Sequence, residues 1–274
     1  MLGMGSIDSV GESTLGVRVR SVAIGLLLVA TAASCTSSKK PQAGPSPTGN
    51  ALKVTSLTAT PKSGGEVDLS WAGTGKGLYG YYLTRDGKYV NLVTSTTYTD
   101  YGVQPKHTYV YEVQPQEGSG SYAPGTSQTV TTPAAPPISN ARFAGAFDTR
   151  FVYLAETYTN RHVGEKYGEK WMVNPHCPTG TCSVTLLVER SGARPASLHR
   201  AGATYRGGAT DTFAVCHGNR IREQFTVTLQ ITKARYLHGV WRVAAFTGTQ
   251  TQSAPAAFGC ISSSSRTSIV AHLI

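Results

Sequence analysis

From Phe225 to Thr232 the chain alternates without a break, with Phe225, Val227, Leu229 and Ile231 set against Thr226, Thr228, Gln230 and Thr232. A period of two puts the apolar residues on one face of a strand and scatters them around a helix, so this stretch is predicted to be a half-buried strand. The same rhythm recurs in Val67, Leu69 and Trp71 against Glu66, Asp68 and Ser70. It recurs again in Phe151, Tyr153 and Ala155 against Arg150, Val152 and Leu154, and in Cys182, Val184, Leu186 and Val188. Glycine-containing turns separate these runs, and no stretch shows a convincing helical period. The reading is therefore all-β, and 274 residues are enough for two modest domains.

Residues 51–135 make the first unit. Val54, Leu57 and Ala59 precede a turn over residues 61–65, and the strand at Val67 follows. Residues 79–85 end in Asp86-Gly87, a pair suited to a tight hairpin because both positions tolerate positive φ. Trp71, the series Tyr81, Leu83, Arg85, Asp86, Gly87, then Tyr98-Thr99-Asp100 and Pro105 with Tyr109 and Tyr111, resemble a bacterial fibronectin type III domain in both identity and spacing. The resemblance implies a seven-stranded sandwich in which Tyr109 is the corner tyrosine, its hydroxyl bonded to nearby main chain. Such domains commonly act as spacers. No Arg-Gly-Asp tripeptide is present.

A proline-rich linker, residues 133–137, is predicted to hold the second unit, residues 136–274, apart from the first. That unit reads as six to eight strands with short connections, an antiparallel meander closed into a small barrel or sandwich. Its cysteines, Cys177, Cys182, Cys216 and Cys260, are even in number, and disulfides are expected of an exported chain. Of three possible pairings, Cys177 with Cys182 would pinch a hairpin and Cys216 with Cys260 would tie distant strands. A zinc site using His176 or His217 is the alternative, although the four-residue gap fits poorly with tight zinc knuckles. Trp171, Pro175, Cys177, Gly180 and Cys182, with Gly239, Trp241 and Gly248-Thr249 further on, resemble a cysteine-stapled β-domain of secreted and membrane-anchored actinobacterial proteins. That resemblance implies architecture and no catalytic residues.

The N-terminus carries an address. Arg18 and Arg20 precede an apolar run over residues 22–33, too short for a membrane span of about 20 residues, which reads as a signal helix. Ala32-Ala33-Ser34-Cys35 resembles the lipobox of bacterial lipoproteins, with alanine where leucine is more usual. The resemblance implies lipidation at Cys35, a signal peptide over residues 1–34, and an anchor at the outer face of the cell membrane; an ordinary cleaved signal is the alternative. Residues 35–50, rich in Ser, Pro, Gly and Lys, read as a flexible tether.

The net charge of +10 is unevenly distributed. Residues 51–135 balance six Lys/Arg against six Asp/Glu, whereas residues 136–274 carry fifteen against seven. Arg190, Arg194, Arg200 and Arg206 cluster near one connection. Arg220, Arg222, Lys233, Arg235 and Arg242 lie on or beside later strands, and these five are the candidate surface for an anionic ligand. Partners of that chemistry outside a bacterium are wall polymers, polysaccharides and envelope proteins. Nucleic acid is not expected, since no stacking aromatics accompany the arginines. No catalytic motif is present, and no cofactor or metal is expected. Asp148, Glu156, Glu189, Asp211 and Glu223 are the acids that a glycoside hydrolase would draw on. His162, His176, His199, His217, His238 and His272 fall mostly in predicted turns. The expected function is thus a non-catalytic surface lipoprotein presenting a basic β-domain, with a carbohydrate-acting accessory module as the alternative.

Overall fold

The computed structural model describes residues 51–188 and 195–274, and of residues 211–214 the main chain alone. Within them the elements are strands, apart from one 3₁₀ turn at Ile138–Asn140. The expected signal helix, tether and Cys35 lie outside the described residues.

The first unit is a sandwich. Strands β1 (Lys53–Ser63), β2 (Glu66–Thr74) and β5 (Thr97–Asp100) form one sheet in the order β1-β2-β5. Strands β3 (Leu78–Arg85), β4 (Lys88–Val93), β6 (Thr108–Glu117) and β7 (Thr126–Thr131) form the other in the order β4-β3-β6-β7. Leu69, Trp71, Leu83, Tyr111 and Val113 meet between them, with Trp71 edge-on to Tyr81 at 5.4 Å. The β3–β4 hairpin turns through Asp86 (φ 51°) and Gly87 (φ 72°), as its sequence anticipates. The Tyr109 hydroxyl accepts a hydrogen bond from the Gln104 amide at 2.8 Å. One reading needs correction: Pro61 does not begin a turn but pairs with Val67 inside β1. An edge strand tolerates it, because a missing N–H on the open side breaks no ladder.

Asp100, 3% exposed, is held by three donors. Arg85 Nη1 lies 2.6 Å and the Tyr111 hydroxyl 2.8 Å from Oδ2, and the Gly102 amide lies 2.7 Å from Oδ1. Removing the carboxylate strands a half-buried guanidinium and a buried phenol, so Asp100→Ala is expected to destabilise the sandwich by about 3 kcal/mol in urea unfolding. Burial first, and then the hydrogen bond to Asp100, push the Tyr111 phenol above its ordinary value; burial does the same to Tyr205. Unfolded, both titrate near 10, so the stability gained by keeping them neutral is complete below about pH 10 and is lost as pH rises beyond it. The urea midpoint is expected to fall through that range, with a shallower fall in Tyr111→Phe.

The second unit is a closed barrel. Its strands are β8 (Gly145–Thr157), β9 (Lys166–Pro175), β10 (Val184–Val188), β11 (Ala196–Ala201), β12 (Thr204–Cys216), β13 (Asn219–Leu237), β14 (Val240–Ala254) and β15 (Ser263–Leu273). Each pairs antiparallel with the next, and β15 returns to β8. Eight strands enclose just enough room for side chains. Phe143, Phe147, Trp171, Tyr205, Leu229 and Phe246 fill it, with Phe143 edge-on to Phe147 and Phe246 at 5.4 and 5.2 Å. The alternation of β13 fails after Thr232 because a bulge there places both Thr232 and Lys233 on the solvent side.

Both expected disulfides are present: Cys177–Cys182 closes the β9–β10 connection, and Cys216–Cys260 ties the end of β12 to the β14–β15 connection. The second encloses 44 residues in sequence separation, for which chain entropy gives roughly 4 kcal/mol. The Cys216→Ser/Cys260→Ser double variant is expected to lose about that much.

The linker does not separate the units. Lys106 N donates to the Pro133 carbonyl at 3.1 Å, and Trp241 Nε1 donates to that of Pro137 at 3.2 Å. Tyr236, beside the β13–β14 turn, lies against Gly64 and Gly65 so closely that a Cβ on Gly65 would overlap its ring. Gly239 (φ 74°) meets Glu66 and Tyr101 in the same contact. Proline stiffness alone predicts a spacer; the apolar Tyr236–Trp241 pair, with ring centroids 4.9 Å apart, supplies the reason for docking. Gly65→Val is expected to undock the units, seen as a larger radius of gyration in solution scattering with unchanged strand content.

Candidate functional site

The five candidate cations do not form one surface. Arg220 and Arg222 stand near the start of β13 and Lys233 and Arg235 near its end; the eleven strand steps from Arg222 to Lys233 span roughly 36 Å. The full length of β13, well beyond the alternating run at 225–232, separates the two groups.

At the lower rim, beside the sandwich, a tighter group forms. Arg235 is paired directly with Arg242 across β13 and β14. On the other side of Arg242 the chain before β8 adds a short parallel bridge, with Arg142 N donating to the Trp241 carbonyl at 2.9 Å and Val243 N to the Arg142 carbonyl at 3.0 Å. Ala141, Phe143 and Val243 point into the core, so Arg142 and Arg242 are on the outside. Three arginines thus stand side by side on three adjoining segments. Arg142 Nη2 donates to the Cys177 carbonyl at 3.2 Å, which fixes its head against the disulfide loop. Arg142 Nη1 and Arg242 Nε are shielded from solvent without a hydrogen-bond partner. Among the described residues no carboxylate lies within salt-bridge distance of any of the three. The next rung holds Lys233, Ala245, His272, Asp148 and Lys170 in register, and Asp148 there faces Arg150 at 3.8 Å.

Arg142 escapes sequence reading because it precedes the first strand of its unit and lies a hundred residues from Arg242. Arg200 and Arg206 belong to β11 and β12; Arg190 and Arg194 lie outside the described residues. Like charges in direct cross-strand register destabilise a sheet. Arg242→Gln is therefore expected to raise the melting temperature in low salt, by the equivalent of about 0.5 kcal/mol, with the gain vanishing at high salt.

At the opposite, upper rim the inward face changes character. The rung Val227, Gln250, Thr267, Tyr153 is followed by Phe225, Gln252, Ser265, Glu156, so polar groups enter what is a mostly apolar filling lower down. Above them opens a cleft of about 230 Å³ lined by Tyr153, Thr159, Asn160, Arg161, Glu223, Gln252 and Ser263 to Ser265. On the outer face of the same strands Arg222 borders a hydroxyl-rich cleft of about 520 Å³ with Thr157, Thr210, Gln224, Ser253 and Ser264.

Among the described acids, Asp148 and Glu156 are engaged locally and Glu223 lines the upper cleft. Glu156 Oε2 accepts from the Thr159 amide and hydroxyl at 3.2 and 2.9 Å, which makes it a turn-forming group. Glu189 and the side chain of Asp211 lie outside the described residues. His176 meets the Thr185 hydroxyl at 2.7 Å and the His238 ring lies 6.0 Å from that of Tyr101. His217 adjoins the Cys216–Cys260 bridge, with ligand atoms within 4.8 Å, a grouping that the oxidised sulfurs do not offer to zinc. On the sandwich, Tyr82 lies between Tyr89 and Tyr122 at 5.2 and 4.9 Å in an exposed aromatic group.

No family model matches this chain, and no curated protein does. Among solved structures, a family 28 exopolygalacturonase of Yersinia enterocolitica overlaps 34% of this chain and 21% of its own, at 14% identity and TM-score 0.28. A chitinase of Bacillus thuringiensis overlaps 42% and 22%, at 17% identity and TM-score 0.28. The chain spans about a fifth of the length of each, and overlaps at this level carry no functional meaning.

Proposed function

We propose that this protein is a non-catalytic surface lipoprotein whose barrel binds an anionic envelope polymer through Arg142, Arg235 and Arg242. The observation that carries the reading is the row itself: three arginines in backbone register on a closed sheet, with no carboxylate among the described residues in salt-bridge reach of them. A fold that places like charges opposite one another gives up stability, and a bound polyanion returns it by pairing phosphate or carboxylate groups with the forks. Lys233 and Lys170 on the neighbouring rung widen the positive field.

The remaining parts fit this role as proposals. A lipid at Cys35 and a tether over residues 36–50 would carry the protein to the outer face of the membrane. The sandwich, read as a fibronectin type III domain, would raise the barrel from the bilayer, and its docking against the β13–β14 turn would hold the arginine row at a fixed height above it. Teichoic-type polyphosphates and acidic polysaccharides are the partner chemistries, and an acidic envelope protein is the remaining one.

The test is sedimentation of the protein with purified cell wall at increasing salt. Binding is expected to weaken steeply as salt rises, and Arg235→Gln/Arg242→Gln to weaken it at least tenfold at low salt while Arg220→Gln/Arg222→Gln changes it little. Salt-independent binding, or equal losses in both double variants, would remove the row from the function.

A further inference from the structure

The upper mouth of the barrel is chemically unlike the lower rim, and the anion-binding reading does not use it. Small eight-stranded barrels are normally filled end to end, and where they hold a ligand they do so at a mouth. Here polar groups enter the filling near the rim, beside the small apolar cluster of Cys216, Ile221 and Ala254. Gln250 and Thr267 are 8% and 2% exposed yet face inward beside Val227 and Tyr153. The Thr267 hydroxyl is buried with no hydrogen-bond partner, a costly state for a group that valine would replace without loss of shape. Directly above it the cleft presents Gln252, Ser265, Asn160 and Thr159, side chains that either donate and accept or rotate to do so. Tyr153 is the aromatic residue of the lining, and its ring lies 5.5 Å from Tyr167, which is stacked on Phe151 at 4.5 Å.

Charge narrows the ligand further. Arg161 is neutralised by Glu165 at 2.8 Å. That leaves Glu223 as the one carboxylate lining the cleft without a salt-bridge partner among the described residues, so the mouth accepts hydroxyl protons and repels anions. The volume, about 230 Å³, admits one ring-sized molecule. A compact ligand with many groups that both donate and accept, no negative charge and a ring face to set against Tyr153 is a sugar.

We propose that the upper mouth binds a single neutral sugar unit, with Gln252, Ser265 and Asn160 fixing its hydroxyls and Glu223 accepting from one of them. The site is separate from the arginine row by the length of the barrel, so one protein would grip a polyanion at one end and a neutral glycan terminus at the other. The proposal does not rest on the arginine row.

Amide chemical shifts of the full protein titrated with glucose, N-acetylglucosamine and glucuronate test it. Saturable shifts with at least one of the two neutral sugars are expected, confined to residues 153–165, 223, 250–252 and 263–267, with glucuronate at least tenfold weaker. Gln252→Ala and Ser265→Ala should each weaken the response about tenfold while leaving the melting temperature within a degree or two of the parent, and Arg242→Gln should leave it intact. No saturable shift with either neutral sugar, shifts centred on Tyr82, Tyr89 and Tyr122, or preference for glucuronate would each overturn the proposal. If Gln252→Ala unfolds the barrel, Ser265→Ala and the shift map of the parent still decide it.

Discussion

The pairing of β15 with β8 is the contact on which the barrel depends. Ten register pairs, from Ser264 opposite Thr157 to Leu273 opposite Phe147, bring the end of the chain back to the start of its second unit. Without them the sheet has two open edges, a flat exposed core face, and no reason to curve. With them it has none, and every turn falls on one of two rims. The lower rim collects the β9–β10 disulfide loop, the β13–β14 turn and the bridge made by Arg142; the upper collects the polar mouth and the Cys216–Cys260 tie. Closure thus sorts the chemistry as well as the topology.

That sorting separates two opposed electrostatic settings. At the lower rim the sheet register forces Arg235, Arg242 and Arg142 together, and the Cys177 carbonyl steadies one of them without cancelling its charge. At the upper mouth Arg161 and Glu165 cancel, leaving a neutral to acidic, hydroxyl-rich cup. A single averaged surface would present neither. The net charge of +10 is therefore a poor description of what a ligand meets, because it sums groups that lie about a barrel length apart.

Much of the architecture was legible because period-two alternation and turn chemistry are local. Asp86-Gly87, the pairing of Cys177 with Cys182, and the strand through Leu229 follow from neighbours in sequence. The two candidate sites follow from register, which is not local. Arg142 meets Arg242 only because the segment before β8 lies beside β14, and nothing near Arg142 announces it. The upper mouth was hidden differently. Residues 247–253 carry polar side chains on both faces, Thr247, Thr249 and Thr251 outward with Gln250 and Gln252 inward, so the alternation that marks a strand disappears there although the strand continues. A strand-length polar stretch between two clear strands is the signal that would have revealed it. The docking of the units is not local either: the stiffness of residues 133–137 suggests a spacer, whereas the glycines at 64 and 65 that admit Tyr236 lie far from it in sequence.

Hydrogen exchange along β15 tests the closure most directly. In the closed barrel the amides of residues 264–272 alternate between carbonyls of β14 and carbonyls of β8. All of them are expected to exchange slowly, at rates comparable with those of β13 in the middle of the sheet. If every second amide of β15 exchanged freely while the others stayed protected, β15 would be an open edge. The barrel, its two rims and the binding chemistries assigned to them would then be wrong.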